Sequence, residues 1–147
     1  MERARAWLLK YREQVAYLFF GGVTTAVNLA VYALLHVALG MNSDLSNLAA
    51  WVAGVLVAYV TNRRWVFQSQ TRGRTMLREL GAFVLARVAT GLMDMGIMHV
   101  GVEELGPRLV PEGMRHLWDM GVKIASNVWV IILNYVFSRV LIFKKGR

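Results

Sequence analysis

Two ionisable residues stand out because they lie inside an apolar run. Arg87 and Asp94 both fall in the block from about Leu80 to Val102, seven residues apart. That spacing puts them two helical turns along and close to one face, roughly 10 Å apart on the axis. A guanidinium presents a rigid bidentate fork that fits a phosphate, while a carboxylate accepts hydroxyl hydrogen bonds or relays a proton. Asn28 and Asn134 sit near the same depth in two other apolar blocks, and their amides suit hydroxyl groups. Arg63 and Arg139 stand at the ends of the second and fourth blocks, Asn62 precedes Arg63, and Lys123 opens the fourth. An ionisable side chain within a membrane span costs about 2.5–3.5 kcal/mol on insertion scales, so each one needs a partner or a task.

Other chemistries are poorly represented. The chain has no cysteine, which excludes disulfides, thiolate metal sites and cysteine nucleophiles together. His36, His99 and His116 are singly placed; their spacing fits no metal motif and no carboxylate–histidine constellation, so they read as packing residues. There is no phosphate-cradling glycine loop after a strand, no HExxH and no serine nucleophile with a base. No segment outside the apolar blocks is large enough to hold a nucleotide sugar or ATP. The expectation is a protein that is not an enzyme and uses no cofactor or metal. Met93, Met95 and Met98 read as flexible packing.

The elements that must position these residues follow from composition. Of 147 residues, 56% are hydrophobic and 18% charged, yet the net charge is +8; an ordinary globular chain has about 45–50% and about 25%. The apolar residues gather in four blocks, at about 15–39, 48–67, 80–102 and 122–143, each long enough at about 1.5 Å per residue to cross about 30 Å of hydrocarbon. Internal glycines are common in such helices, and both prolines, Pro107 and Pro111, fall between blocks. The predicted fold is an all-α integral membrane protein with four transmembrane helices. The first block is too long, and lacks the small-residue cleavage site, for a removable signal peptide.

Charge placement orients the spans. Arg3, Arg5, Lys10 and Arg12 precede the first; Arg63, Arg64, Arg72, Arg74 and Arg78 lie between the second and third; Arg139, Lys144, Lys145 and Arg147 end the chain. These hold 13 of the 17 basic residues on one side, which the positive-inside rule places in the cytoplasm together with both termini. Binding of nucleic acid would not produce that asymmetry, so membrane lipids and not nucleic acid are the expected partners. Residues 1–14 read as an interfacial amphipathic helix carrying Trp7, Leu8 and Tyr11, or alternatively as a frayed tail. The stretch Glu103–Gly121 reads as an outer loop with room for a short surface helix.

The chain also repeats itself. Tyr59-Val60-Thr61-Asn62-Arg63-Arg64-Trp65-Val66-Phe67 and Tyr135-Val136-Phe137-Ser138-Arg139-Val140-Leu141-Ile142-Phe143 share Tyr, Val, Arg, an aliphatic residue and Phe at an offset of 76. Thr24 and Asn28 match Thr90 and Asp94 at an offset of 66. Two helical hairpins inserted the same way round form a parallel repeat, an arrangement whose interface often carries the substrate path in transporters.

The run Phe19-Phe20-Gly21-Gly22-Val23-Thr24-Thr25-Ala26-Val27-Asn28 resembles the opening signature of the GtrA-like family of small membrane proteins. Asn62 to Phe67, Arg87, and the ending Asn134 to Phe143 resemble its second, third and fourth signatures, so that the resemblance covers about Tyr17 to Lys144. Ser138 stands where the second span has Asn62, and Val140–Leu141 where it has Arg64–Trp65, so the halves differ. The resemblance implies translocation of polyprenyl-phosphate-linked sugars across the cytoplasmic membrane for cell-surface polysaccharide, often beside a polyprenyl-phosphate glycosyltransferase.

On that implication Asn28, Arg87, Asp94 and Asn134 would line a hydrated pocket, with Arg87 on the lipid phosphate. Arg63 and Arg139, beside Asn62, would form a cationic mouth for the head group, and Lys123 would receive the phosphate on the outer side. The alternatives stay open: Arg87 and Asp94 as interhelical glue, and Arg63, Arg139 and Lys123 as interfacial anchors beside Trp65 and Phe67. Two other functions compete: a non-transporting scaffold for a glycosyltransferase, and a small drug or metabolite exporter resting on Asp94. Gly21–Gly22 and Gly54 offer close-approach faces for a second copy, which predicts a homo-oligomer.

Overall fold

The structure, a computed structural model, describes residues 6, 7 and 9–143. Arg3, Arg5, Leu8, Lys144, Lys145 and Arg147 lie outside the described residues, and with them most of the anticipated interfacial helix. Within that stretch residues 6, 7, 9 and 10 are helical, and Trp7 packs on Tyr11 with ring centroids 5.0 Å apart.

Four long helices account for nearly everything else. Helix α1 is Arg12–Tyr32, α2 is Ser43–Thr61, α3 is Gly73–Met98 and α5 is Arg115–Phe137; a short α4, Gly106–Leu109, lies between the last two. Each long helix widens at its C-terminal end into a π-helical stretch: Ala33–Ala38, Asn62–Val66, His99–Leu105 and Ser138–Ile142. The stretches at Asn62 and Ser138 start 76 residues apart, and those at Ala33 and His99 start 66 apart. These are the two offsets found in the sequence.

Among the described residues four helical runs are long and apolar enough to span a bilayer: Arg12–Ala38, Leu45–Val66, Gly73–Leu109 and Glu112–Ile142. All start before their apolar blocks, and the third also ends after its block, because the backbone ladder runs on through polar residues wherever nothing stops it. The largest revision concerns the expected outer loop. Glu103–Gly121 is mostly helical, and the break is confined to Val110–Pro111. Val110 is extended (φ −128°, ψ 129°), as the steric bulk of a following proline requires. Pro107 does no such damage, since it sits in the first turn of α4, where no N–H is needed. The basic stretch between spans two and three is revised likewise: Arg63 and Arg64 lie in the π-helical end of α2, and Arg74 and Arg78 in α3.

Polar side chains share the interior with apolar ones, and large apolar side chains cover the surface. Buried residues include Ser46, Thr61, Asn62, Glu79, Thr90, Ser126, Asn134 and Ser138, while Leu18, Phe19, Leu29, Val37, Leu85, Leu92 and Ile124 are exposed. In water such a surface would aggregate; in hydrocarbon it is the stable arrangement, with polar groups satisfied inside. The chain is a multi-pass membrane protein.

Two compact units make up the chain. The first holds the described residues up to Met76 together with Phe143; the second is Leu77–Ile142. In the first, α1 packs along α2. Gly54 makes this possible: a Cβ there would lie 3.6 Å from Asn28 Cβ and 3.6 Å from Thr24 Cγ2. Gly54 is therefore spent inside the chain and offers no face to a second copy, whereas Gly21 and Gly22 face open space. Phe67 is likewise no interfacial anchor. It is 2% exposed and stacks on Phe143 at 5.3 Å, with Tyr59 at 5.9 Å from the same ring. Trp65 is the exposed aromatic, stacked on Phe20 at 5.5 Å with the Arg64 guanidinium 5.2 Å from its ring.

Candidate functional site

In the second unit, helical spacing lines up Phe83, Arg87, Thr90 and Asp94 on one face of α3, at intervals of four, three and four. Three residues of α5 meet that face. Thr90 Oγ1 lies 2.9 Å from Asn134 Oδ1 and 3.0 Å from the carbonyl of Ala86. Its single proton serves one acceptor at a time, so the hydroxyl alternates between its own helix and the neighbouring one. One turn further along, Ser126 donates to Asp94 Oδ1 at 2.6 Å, and Lys123 Nζ reaches Asp94 Oδ2 at 2.9 Å and Oδ1 at 3.3 Å. Thr90, Ser126 and Asn134 are all but fully buried.

Arg87 is placed differently. Its guanidinium lies 4.9 Å from the ring centroid of Phe83, which is 1% exposed. A cation over a ring face is favourable, by about 0.5–2 kcal/mol, but it uses none of the five N–H donors. Among the described residues Arg87 has no carboxylate in ion-pair reach. The ladder therefore holds two cations, one neutralised by Asp94 and one resting on an aromatic ring. They are separated by at least about 10 Å along the axis, since Arg87 reaches back toward Phe83 while Lys123 meets Asp94.

Lys123 needs a corrected description. It does not cap the outer end of a span, because α5 begins at Arg115, two turns earlier. Its long stem instead brings the ammonium to Asp94, three residues from the midpoint of the Gly73–Leu109 run. Asp94 and Arg87 thus answer to different partners. Ser126 and Thr90 complete the ladder without having been singled out as binding residues by sequence. The available signal for Ser126 was its position, three residues beyond Lys123 and eight before Asn134, on the same side of α5.

Arg139 donates to Tyr135 Oη at 3.2 Å, at the π-helical end of α5. Asn28, Asn62 and Arg63 belong to the first unit. There Arg63 donates to the backbone carbonyl of Thr71 and, at 3.3 Å, to its hydroxyl, holding the connecting segment back against the end of α2. Asn62 is 3% exposed, and its Oδ1 has no hydrogen-bond partner among the described residues. Asn28 packs against Gly54. Of the histidines, His36 bonds the Met41 carbonyl at 2.8 Å. His99 corrects the sequence reading: it is exposed and meets two carboxylates, Glu103 at 3.2 Å and Glu104 at 3.7 Å. The i,i+4 spacing of His99 and Glu103 was the legible sign. Among the described residues no group of His, Asp and Glu could hold a metal ion.

Residues 16–143 match the family model described as GtrA/DPMS, transmembrane domain. Over 152 aligned residues the chain is 36% identical to the cell wall teichoic acid glycosylation protein GtcA of Listeria monocytogenes, covering 98% of both chains. It is 38% identical over 129 residues to the GtcA of Listeria innocua, covering 87% of this chain and 82% of that one. The uncharacterised membrane protein YwcD of Bacillus subtilis is 33% identical over 132 residues, with 89% and 96% covered. No solved structure matches the chain.

Proposed function

The chain belongs to the GtrA/DPMS transmembrane-domain family, and from that premise we propose that it carries a polyprenyl-phosphate-linked sugar across the cytoplasmic membrane for assembly of a cell-surface glycan. The relatives named for teichoic acid glycosylation support the pathway. The observation that carries the reading is the polar ladder of α3 and α5, above all Arg87, a cation held within a span with no carboxylate beside it among the described residues. A membrane protein that only anchors a partner has no use for such a group, which is costly unless an anion visits it.

In this reading Arg87 takes the phosphate through its bidentate fork. The hydroxyl of Thr90 and the amide of Asn134 follow on the path and offer hydrogen bonds to sugar hydroxyls. Lys123 is the second station. When phosphate arrives there, Asp94 releases the ammonium and keeps its 2.6 Å bond from Ser126, so the carboxylate is never stripped of every partner. Asn62 and Arg63 serve as a head-group site at the end of α2 and Asn28 as a hydroxyl-binding amide, both in the first unit, while Arg139 serves a head group at the end of α5 in the second. The exporter reading fares worse, because it needs a free membrane carboxylate and Asp94 is already engaged by Lys123 and Ser126.

The architecture that suits this function is two hairpins in parallel repeat with both termini in the cytoplasm. It is supported by the basic asymmetry and by π-helical ends at the two repeat offsets. A homo-oligomer, and a membrane glycosyltransferase as partner, complete the proposal. The test is transport of a polyprenyl-phosphate sugar in liposomes containing the purified protein alone. Arg87→Leu should abolish transport with the fold retained, and Arg87→Lys should restore part of it. Undiminished transport by Arg87→Leu would refute the assignment.

A further inference from the structure

The two endings of the repeat differ where the first reads Arg64–Trp65 and the second Val140–Leu141. The spans before them differ as well: Phe19–Phe20 stand in α1 where, 66 residues on, α3 has Leu85–Ala86. In the first unit these four residues of the first half meet. Phe19 and Phe20 contact edge to face with ring centroids 5.2 Å apart, Trp65 stacks on Phe20 at 5.5 Å and 19°, and the Arg64 guanidinium lies 5.2 Å from the indole. The second half therefore lacks a whole stack of aromatic rings closed by a cation. A guanidinium held over a ring spends none of its N–H donors there, and those donors form the fork that matches a phosphate. Arg64 is exposed and makes no hydrogen bond or ion pair among the described residues, whereas its neighbour Arg63 is engaged by Thr71. The stack sits at the end of the Leu45–Val66 run, where hydrocarbon gives way to head groups. Val60, Leu56 and Val52 are exposed at successive turns of α2 leading away from it into the span.

We propose that this face of the first unit is a site for one anionic glycerophospholipid, with its phosphate on Arg64, its glycerol region against Trp65 and Phe20, and an acyl chain along Val60, Leu56 and Val52. Charge and depth together choose this occupant. A row of apolar side chains that ends in a cation at the membrane boundary has the order of parts of such a lipid, chain first and phosphate last. A second copy meeting this face symmetrically would set Arg64 against Arg64, a like-charge contact. An acidic segment of another protein would answer the cation and leave the apolar row, at hydrocarbon depth, without a partner. The lipid stays at the boundary whether or not a sugar lipid is moved, so the transport reading can fail and leave this site intact.

The test counts retained lipid by native mass spectrometry, after release of the protein from nanodiscs holding equal amounts of phosphatidylglycerol and phosphatidylcholine with identical acyl chains. Wild type should retain phosphatidylglycerol preferentially. Arg64→Gln, at an exposed position that folding does not depend on, should lower that retention about fivefold, the worth of one basic residue at an anionic surface. Arg64→Lys keeps the charge without the fork and should recover only part of the loss. Trp65→Leu keeps Arg64 but removes its platform, and should weaken retention about threefold. Arg74→Gln removes the same charge from an exposed arginine that no span separates from Arg64, and should leave retention unchanged. Equal retention of the two lipids by wild type overturns the site, as does wild-type retention in Arg64→Gln or in Arg64→Lys. Equal losses in Arg64→Gln and Arg74→Gln would reduce it to general charge attraction, and displacement of phosphatidylglycerol by millimolar inorganic phosphate would show a phosphate site that needs no lipid; both overturn it. A shift to monomer in Trp65→Leu with lipid retention unchanged would give the face to a second copy instead.

Discussion

Replacing Lys123 with Met strips Asp94 of its cation and leaves it with Ser126 alone. An aspartate in that state near the middle of a span costs about 2.5–3.5 kcal/mol, close to the loss seen when one partner of a buried ion pair is removed. The side chains of the pair are 26% and 43% exposed, so the expected destabilisation is the lower figure, about 2.5 kcal/mol. Asp94→Asn is milder, about 1 kcal/mol, because the freed lysine has a long stem and snorkels toward the head groups. The double variant Asp94→Asn with Lys123→Met carries no stranded charge and should lose only about 1.5 kcal/mol, giving a coupling of about 2 kcal/mol. Steric-trapping or detergent-unfolding measurements on the four proteins close the cycle. Additive losses within about 0.5 kcal/mol would show that the two side chains do not stabilise each other and would refute the reasoning.

Three further outcomes are expected. Thr90→Val leaves the buried Asn134 oxygen without its donor and should cost about 1–3 kcal/mol; adding Asn134→Leu should recover much of that loss in the same unfolding assay. Gly101→Ala forces a Cβ to 2.6 Å from Val122 and should lower stability by about 1–3 kcal/mol, with rescue by Val122→Ala measured by thermal denaturation. Because the chain lacks cysteine, single cysteines report topology cleanly. Cysteine at Gln70 should resist, and at Gly113 should accept, a membrane-impermeant maleimide added to intact cells; the reverse labelling would overturn the assigned orientation.

How far the sequence was legible depends on whether a feature is local. The four spans could be read because apolar content over about 20 residues is a property of contiguous sequence. The shared face of Arg87 and Asp94 was legible for the same reason, through helical spacing. Helix ends were not, since the turns at Gly73–Glu79 and Glu112–Gly121 carry charged residues yet keep the backbone ladder. Lys123 was misread because its partner lies 29 residues away on another helix, and nothing in its own neighbourhood announces a carboxylate. Ser126 and Thr90 are common residues whose importance appears only when α3 and α5 are set face to face. Gly54 and Phe67 show the opposite error: a small residue and an aromatic near a span end suit an outer surface, and pairing with Asn28 and Phe143 took them inside.

The pair of Asp94 and Lys123 also bears on how the protein enters the membrane during synthesis. Each charge, arriving alone in hydrocarbon, opposes insertion of its own helix by about 2.5–3.5 kcal/mol. The 28 residues between them are nearly all helix, broken only at Val110–Pro111. The third span therefore reaches the insertion machinery with its carboxylate uncompensated and gains its counter-ion only when the fourth has followed. Partitioning into lipid is then an event of the hairpin and not of either helix, and a chain interrupted after Leu109 would hold its last span poorly.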